Sequence, residues 1–257
     1  FLTRLGLYFA VWLFLGFRIR STSERYDNGP TPDLIIRLQR LGGLGVVLYA
    51  LTVTFASVDW VMSLEPRWYS TMYGVLFMSN QALSSMAFMI VLAMACSKRK
   101  PFSEIVTQAR AHDLGNLLFA FLMFWAYVNL SQFIIVWSGN LQEETPWYIR
   151  RFNGGWSTVA LSLVFLQFAL PFFLLLMRRN KRHFRVLMGV AALILCMRWV
   201  DLFWVIKPAF VAHVSFHWTD VTSFAGLGGI WLACFCALLK NRPLVLRQDP
   251  LWKENNP

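Results

Sequence analysis

The chain is 257 residues long, 57% of them hydrophobic and only 14% charged, with a mean hydropathy of +0.51. That balance excludes an ordinary water-soluble domain and makes lipid the solvent to reason with. The formal charge of +11 does not point to nucleic acid, because the lysines and arginines cluster between apolar runs, as membrane orientation requires.

Seven runs reach the length of about 20 residues that a membrane span needs: roughly 2-17, 42-62, 70-96, 114-138, 156-177, 186-206 and 221-239. They are too long for barrel strands and show no alternation, and an open strand edge cannot sit in hydrocarbon. The expected fold class is therefore all-α, a polytopic transmembrane helix bundle over 1-243 with a tail at 244-257. The first run starts at Phe1 in mid-span without a charged leader, so no signal peptide is expected, and N-terminal sequence is expected to be missing.

Between the first two spans, 21-35 (STSERYDNGPTPDLI) reads as a polar loop. The second span carries Tyr49, Thr52 and Asp59 along one stripe, leading to the corner Asp59 to Gly74, DWVMSLEPRWYSTMYG. There Pro66 is expected to break the helix, Trp60, Trp68 and Tyr69 to suit the interface, and Arg67 to answer Glu65. The third span holds Asn80, Gln81, Ser84 and Ser85, and residues 101-113 read as a short surface helix after Pro101. Tyr127, Asn129, Ser131 and Gln132 follow on the fourth span, and 139-155 suits an interfacial hairpin rich in Trp and Tyr. On the sixth span, Arg198 and Asp201 are three apart and can meet on one face.

Alternating the spans puts 18 of the 24 basic residues on one side, including Arg178, Arg179, Lys181 and Arg182. The positive-inside rule makes that side cytoplasmic, the C-terminus inside and the Asp59 corner outside.

Ionisable groups within a span cost a few kcal/mol, so Arg198 and Asp201 are candidates for chemistry as well as for a buried packing pair. Asp59, Glu65, His213, His217 and Asp220 fall near the outer helix ends, and with Asp201 they form a candidate cluster of proton-exchanging groups. The bland alternative is that loop acids and histidines meet water. All four histidines lie at or beyond helix ends, so two mid-span axial haem ligands are not available. The cysteines, Cys96, Cys196, Cys234 and Cys236, have no iron–sulfur, zinc or disulfide spacing, and no nucleotide or nucleophile motif is present.

Three runs carry a resemblance: LYALTVTFASVDWVMSLEPRWYSTMYG (48 to 74), HDLGNLLFAFLMFWAYVNLSQFIIVWSGNLQEETPWYIRR (112 to 151) and MRWVDLFWVIKPAF (197 to 210). Over nearly the whole chain the sequence resembles the ActF subunits of alternative complex III, the bacterial quinol:cytochrome c oxidoreductase. That resemblance implies an NrfD-like membrane protein of ten helices, of which seven are seen here. It also implies a bacterial inner-membrane location and a homologous partner subunit, ActC. Periplasmic iron–sulfur and haem-c subunits, and a cytochrome or terminal oxidase as acceptor, are implied as well. Menaquinone or another quinone is the candidate ligand, with no metal or covalent cofactor in this chain. The carried-over positions are the Asp59 to Gly74 corner, the His112-Asp113 entry to the fourth span, the Ser138 to Asn140 turn, and Arg198 with Asp201; separately, His112 and Asp113 are the candidate cytoplasmic proton entrance.

Two other readings remain open from the residues. One is a purely structural scaffold, in which the polar residues only pack helices. The other is a stand-alone transporter, which would require broken helices at mid-membrane.

Overall fold

The structure is a computed structural model that describes residues 1–98 and 106–240. The 244-257 tail and the start of the expected 101-113 helix lie outside the described residues. Among the described residues every regular element is helical, and seven helices are long and apolar enough to cross a membrane. The chain is a multi-pass, all-α membrane protein.

The chain divides into two compact units, Phe1–Thr52 with Ser215–Pro257, and Val53–Val214. In the first unit, α1 (Leu2–Asn28) and the start of α2 (Pro32–Trp60) are separated by only three residues. The polar loop expected at 21-35 is thus mostly helix. Arg20 and Glu24 pair at 3.0 Å one turn apart, and Thr22 and Tyr26 are buried, so charge pairing and packing carry the helix past its apolar part. Pro32 at the first helical position and Asp33 in the first turn start α2 well. Within this unit the Trp12 indole N–H donates to the Thr52 hydroxyl at 2.8 Å, and that hydroxyl donates to the Leu48 carbonyl at 2.7 Å. Thr52 is therefore a helix-contact residue. The unit closes with α9 (Trp218–Lys240), none of whose residues is buried.

The second unit holds the end of α2, then α3 (Tyr73–Cys96), α4 (Gln108–Gly139), the short α5 (Thr145–Phe152), α6 (Trp156–Leu176), the short α7 (Arg178–Arg182) and α8 (Phe184–Ile206). Its core is a set of facing stripes. Leu83, Ala87, Ile90 and Met94 come from α3, Leu118, Leu122 and Trp125 from α4, and Leu187, Ala191 and Ile194 from α8. Steps of three and four residues keep each stripe on one face. In lipid the gain comes from close van der Waals contact, which small residues permit. Gly74 shows this, because a Cβ there would lie 2.6 Å from the Thr54 side chain.

Two departures from the expected boundaries matter. The helix α4 begins at Gln108, capped by the Thr107 hydroxyl, so His112 and Asp113 lie inside a continuous helix and 108–113 are no separate surface helix. The helix α2 stops at Trp60, followed by a 3₁₀ turn at Met62–Leu64, so it ends before Pro66 rather than because of it.

Helix α6 contains a π-helical stretch, Leu163–Ala169, just before Pro171. Pro171 offers no N–H to the Gln167 carbonyl and its ring crowds that carbonyl, and the widened turn, in which the Leu170 N–H reaches Phe165 O, accommodates both. Gln167 on this stretch is fully buried.

Candidate functional site

The second unit buries two arginine–carboxylate pairs near one end of its helices. The first is built around Arg151 on α5, whose side chain is only 1% exposed. Its Nη2 donates to Glu65 Oε1 at 2.8 Å and to the Val205 carbonyl, and its Nη1 donates to the Trp147 carbonyl at 2.9 Å. The guanidinium also lies over the Trp147 ring, 3.6 Å from its centroid. Arg150, largely exposed, takes the other Glu65 oxygen at 3.1 Å.

Glu65 is therefore answered by Arg150 and Arg151, not by Arg67 as the corner's sequence suggests. Trp147 and Arg151, one turn apart, form the buried face of the amphipathic α5, which the 139-155 hairpin reading had only as interfacial. Burial pulls the Arg151 guanidinium below its ordinary range while Glu65 pulls it back, and burial pushes the Tyr148 phenol up despite Arg151 nearby.

Aromatic rings close the pair off. Trp68 stacks on Trp147 at 5.0 Å and meets Tyr73 edge-on at 5.3 Å, while Trp204 meets Trp147 edge-on at 5.7 Å. Trp68 is thus a buried wall of this box, whereas Tyr69 is exposed, with its hydroxyl 3.4 Å from Glu143. The Nε1 of Trp68, the Nε1 of Trp204 and Arg151 Nε are buried without a hydrogen-bond acceptor among the described residues. Such donors suit a quinone carbonyl, but no water-sized space remains between Glu65, Trp68, Tyr73, Trp147, Arg151 and Val205. A quinone ring does not fit there.

The second pair is Arg198 and Asp201 on α8, 5% and 3% exposed, joined at 2.6 Å. The i, i+3 spacing read from the sequence is what brings them together. Arg198 Nε also faces the Ser84 hydroxyl of α3 at 3.3 Å, and that hydroxyl donates to the Asn80 carbonyl at 2.8 Å. Gln167 comes in from the π-helical stretch of α6. With its amide oriented to satisfy both ends, its oxygen accepts from Arg198 Nη1 at 3.1 Å and its nitrogen donates to the Met197 carbonyl at 3.1 Å.

The two pairs lie close along α8. Four residues, or about 6 Å of helix rise, separate Asp201 from the Val205 carbonyl that Arg151 holds. Tyr73, 3% exposed, belongs to the wall of the outer box, edge-on to Trp68.

The other candidates fare differently. Asp59 is half-buried at the end of α2, and its backbone carbonyl accepts from the Ser63 hydroxyl at 2.7 Å. His213 is exposed. His217 and Asp220 belong to the first unit and make a helix cap: the Asp220 carboxylate accepts the His217 backbone N–H at 3.0 Å, and His217 Nδ1 lies 2.8 Å from the Thr219 hydroxyl. At the other end of the second unit, Asp113 is exposed and His112 half-buried, its Nδ1 without a hydrogen-bond partner among the described residues. Among the described residues no three His, Cys, Asp or Glu side chains converge as metal ligands.

Sequence reasoning missed Arg151 and Gln167. Arg151 falls in the 139-155 stretch read as an interfacial hairpin, and the only hint is its spacing of four from Trp147. Gln167 is a single amide in an apolar span, marked only by Pro171 four residues on.

No known family model matches this chain. A comparison with curated proteins returns no match either.

Proposed function

We propose that this chain is an integral membrane subunit of a quinol:cytochrome c oxidoreductase of the alternative complex III type, an ActF-like member of the NrfD-like proteins. In this reading it lies in a bacterial inner membrane with its C-terminus in the cytoplasm. Its partners are an ActC-like subunit and periplasmic iron–sulfur and haem-c subunits. The three sequence runs at 48 to 74, 112 to 151 and 197 to 210 support the assignment.

Of the two contributions such a subunit can make, a quinone pocket or a proton path, the geometry favours the proton path. The observation that carries it is the buried Arg198–Asp201 pair, whose arginine also meets the Ser84 hydroxyl and the Gln167 amide, about 6 Å of helix rise from the Val205 carbonyl that Arg151 holds. A carboxylate paired with a fixed arginine can exchange a proton only where polar neighbours balance the charge left behind, and here the Ser84 hydroxyl and the Gln167 amide lie against Arg198. Asp201 is the proton-exchanging group, Arg198 sets its charge balance, and Glu65 is the outer member.

A scaffold role is the second reading, and the closed Arg151–Glu65 box favours it, since that pair is packed with no room for a ligand. Affinity purification of the tagged chain from its native membranes separates these readings from the rest. Co-isolation of c-type haem with quinol oxidation is expected; a chain isolated without haem or quinol oxidation would contradict membership in such a complex.

A further inference from the structure

We infer that the end of the second unit opposite the Glu65 box carries a binding site for the phosphate headgroup of an anionic phospholipid, formed by Arg178, Arg179 and Arg182 with His183 and Gln108. The inference is independent of the quinol reading. An open pocket of about 360 Å³ is lined by these five residues.

Its construction begins with Lys181. That side chain is 8% exposed and reaches α4, where its ammonium donates to Asn116 Oδ1 at 2.7 Å and lies 5.5 Å from the Phe119 ring centroid. Gly115 makes the approach possible, because a Cβ there would stand 2.8 Å from Lys181 Cγ. Asn180 ties the same turn from its other side, donating to the Leu174 carbonyl at 3.0 Å. At 100° per residue Asn180 and Lys181 occupy one half of α7, and Arg178, Arg179 and Arg182 the other. The two inward residues pin the turn, and the three arginines stay exposed on its far side.

None of those three arginines is paired with a carboxylate among the described residues. Three guanidiniums on one pinned turn, with a neutral amide and a histidine completing the lining and no carboxylate in it, make a donor-rich site that matches phosphate oxygens. The depth selects the source. Arg178–Arg182 lies between the span ending at Leu176 and the one starting at Phe184, and Gln108 opens a third span, so the pocket sits at headgroup level. It also lies on the side that collects most of the positive charge, where basic pockets between helices meet anionic lipid.

The test uses the full chain, purified in a mild detergent and washed free of lipid. Mixed micelles carrying cardiolipin or phosphatidylglycerol are titrated in, with phosphatidylcholine micelles and inorganic phosphate as the comparison probes. Wild type is expected to bind the two anionic lipids and to prefer them to phosphatidylcholine. The R178Q/R179Q/R182Q variant is expected to bind them on the order of 100-fold more weakly at low salt, and less markedly so at physiological salt. The R37Q/R40Q/K240Q variant, which removes the same charge from exposed positions elsewhere, should bind within about threefold of wild type. Equal losses in both triple variants would overturn the site in favour of diffuse charge, and inorganic phosphate displacing the lipid at equal concentration would overturn the headgroup assignment. If the first triple variant does not fold, R179Q and R182Q alone carry the test, each expected to weaken binding several-fold; two unchanged affinities would overturn it.

Discussion

The two buried arginine–carboxylate pairs of the second unit look alike in composition and differ in what surrounds them. Arg151 is held by a carboxylate, two backbone carbonyls and an indole face, all in a box without space for a water molecule. Arg198 is held by Asp201, a serine hydroxyl and a glutamine amide, groups that can rotate or exchange a proton. Backbone acceptors and rings make a lock; side-chain acceptors make a site. The comparison teaches that burial of an ion pair alone does not separate structure from chemistry, whereas the kind of acceptor around it, backbone carbonyl or side chain, is what differs here.

The largest expected effect breaks the lock. Arg151→Met leaves Glu65 and the Trp147 and Val205 carbonyls without their donor, and should cost about 3–5 kcal/mol of stability. Denaturant titration in detergent measures this, and a loss below about 1 kcal/mol would show that the box does not depend on its cation. Glu65→Gln is milder, because the two carbonyls still hold Arg151: about 1–3 kcal/mol is expected by the same assay.

At the second pair the expectation inverts. Gln167→Leu should leave assembly intact and shift the pH profile of quinol turnover, since Arg198 loses a neutral partner that the proton site uses; an unchanged profile would reduce Gln167 to packing. The smallest effect concerns Tyr148. Burial holds its phenol above the ordinary value of about 10, so the unfolded chain ionises first. Stability from this group is intact below that pH and falls as the pH rises above it. Tyr148→Phe should flatten the alkaline arm of a stability–pH curve by roughly 1 kcal/mol or less.

The same contrast explains what was legible in the sequence. Arg198 and Asp201 are three residues apart, so helical periodicity alone predicts their meeting. Glu65 and Arg151 are separated by 86 residues, and nothing local ties the α2–α3 corner to α5. The nearby Arg67 was the natural but wrong partner. The seven spans were readable because lipid demands about 20 apolar residues in a row. Helix ends outside the lipid obey caps and charge pairs instead, which is why α1 runs on to Asn28 and α4 starts early at Gln108. His217 and Asp220 are three residues apart, and their meeting at the start of α9 follows from the same local geometry, through the His217 backbone N–H.

The central claim is that Asp201 exchanges protons during quinol oxidation. Asp201→Asn keeps the shape and one hydrogen bond to Arg198 but removes the titrating group. In native membranes containing equal amounts of assembled complex, the variant should lose at least about tenfold in quinol-driven proton release or turnover. Wild-type rates in the assembled Asp201→Asn complex would contradict the account and leave this pair, like Arg151 and Glu65, a structural tie.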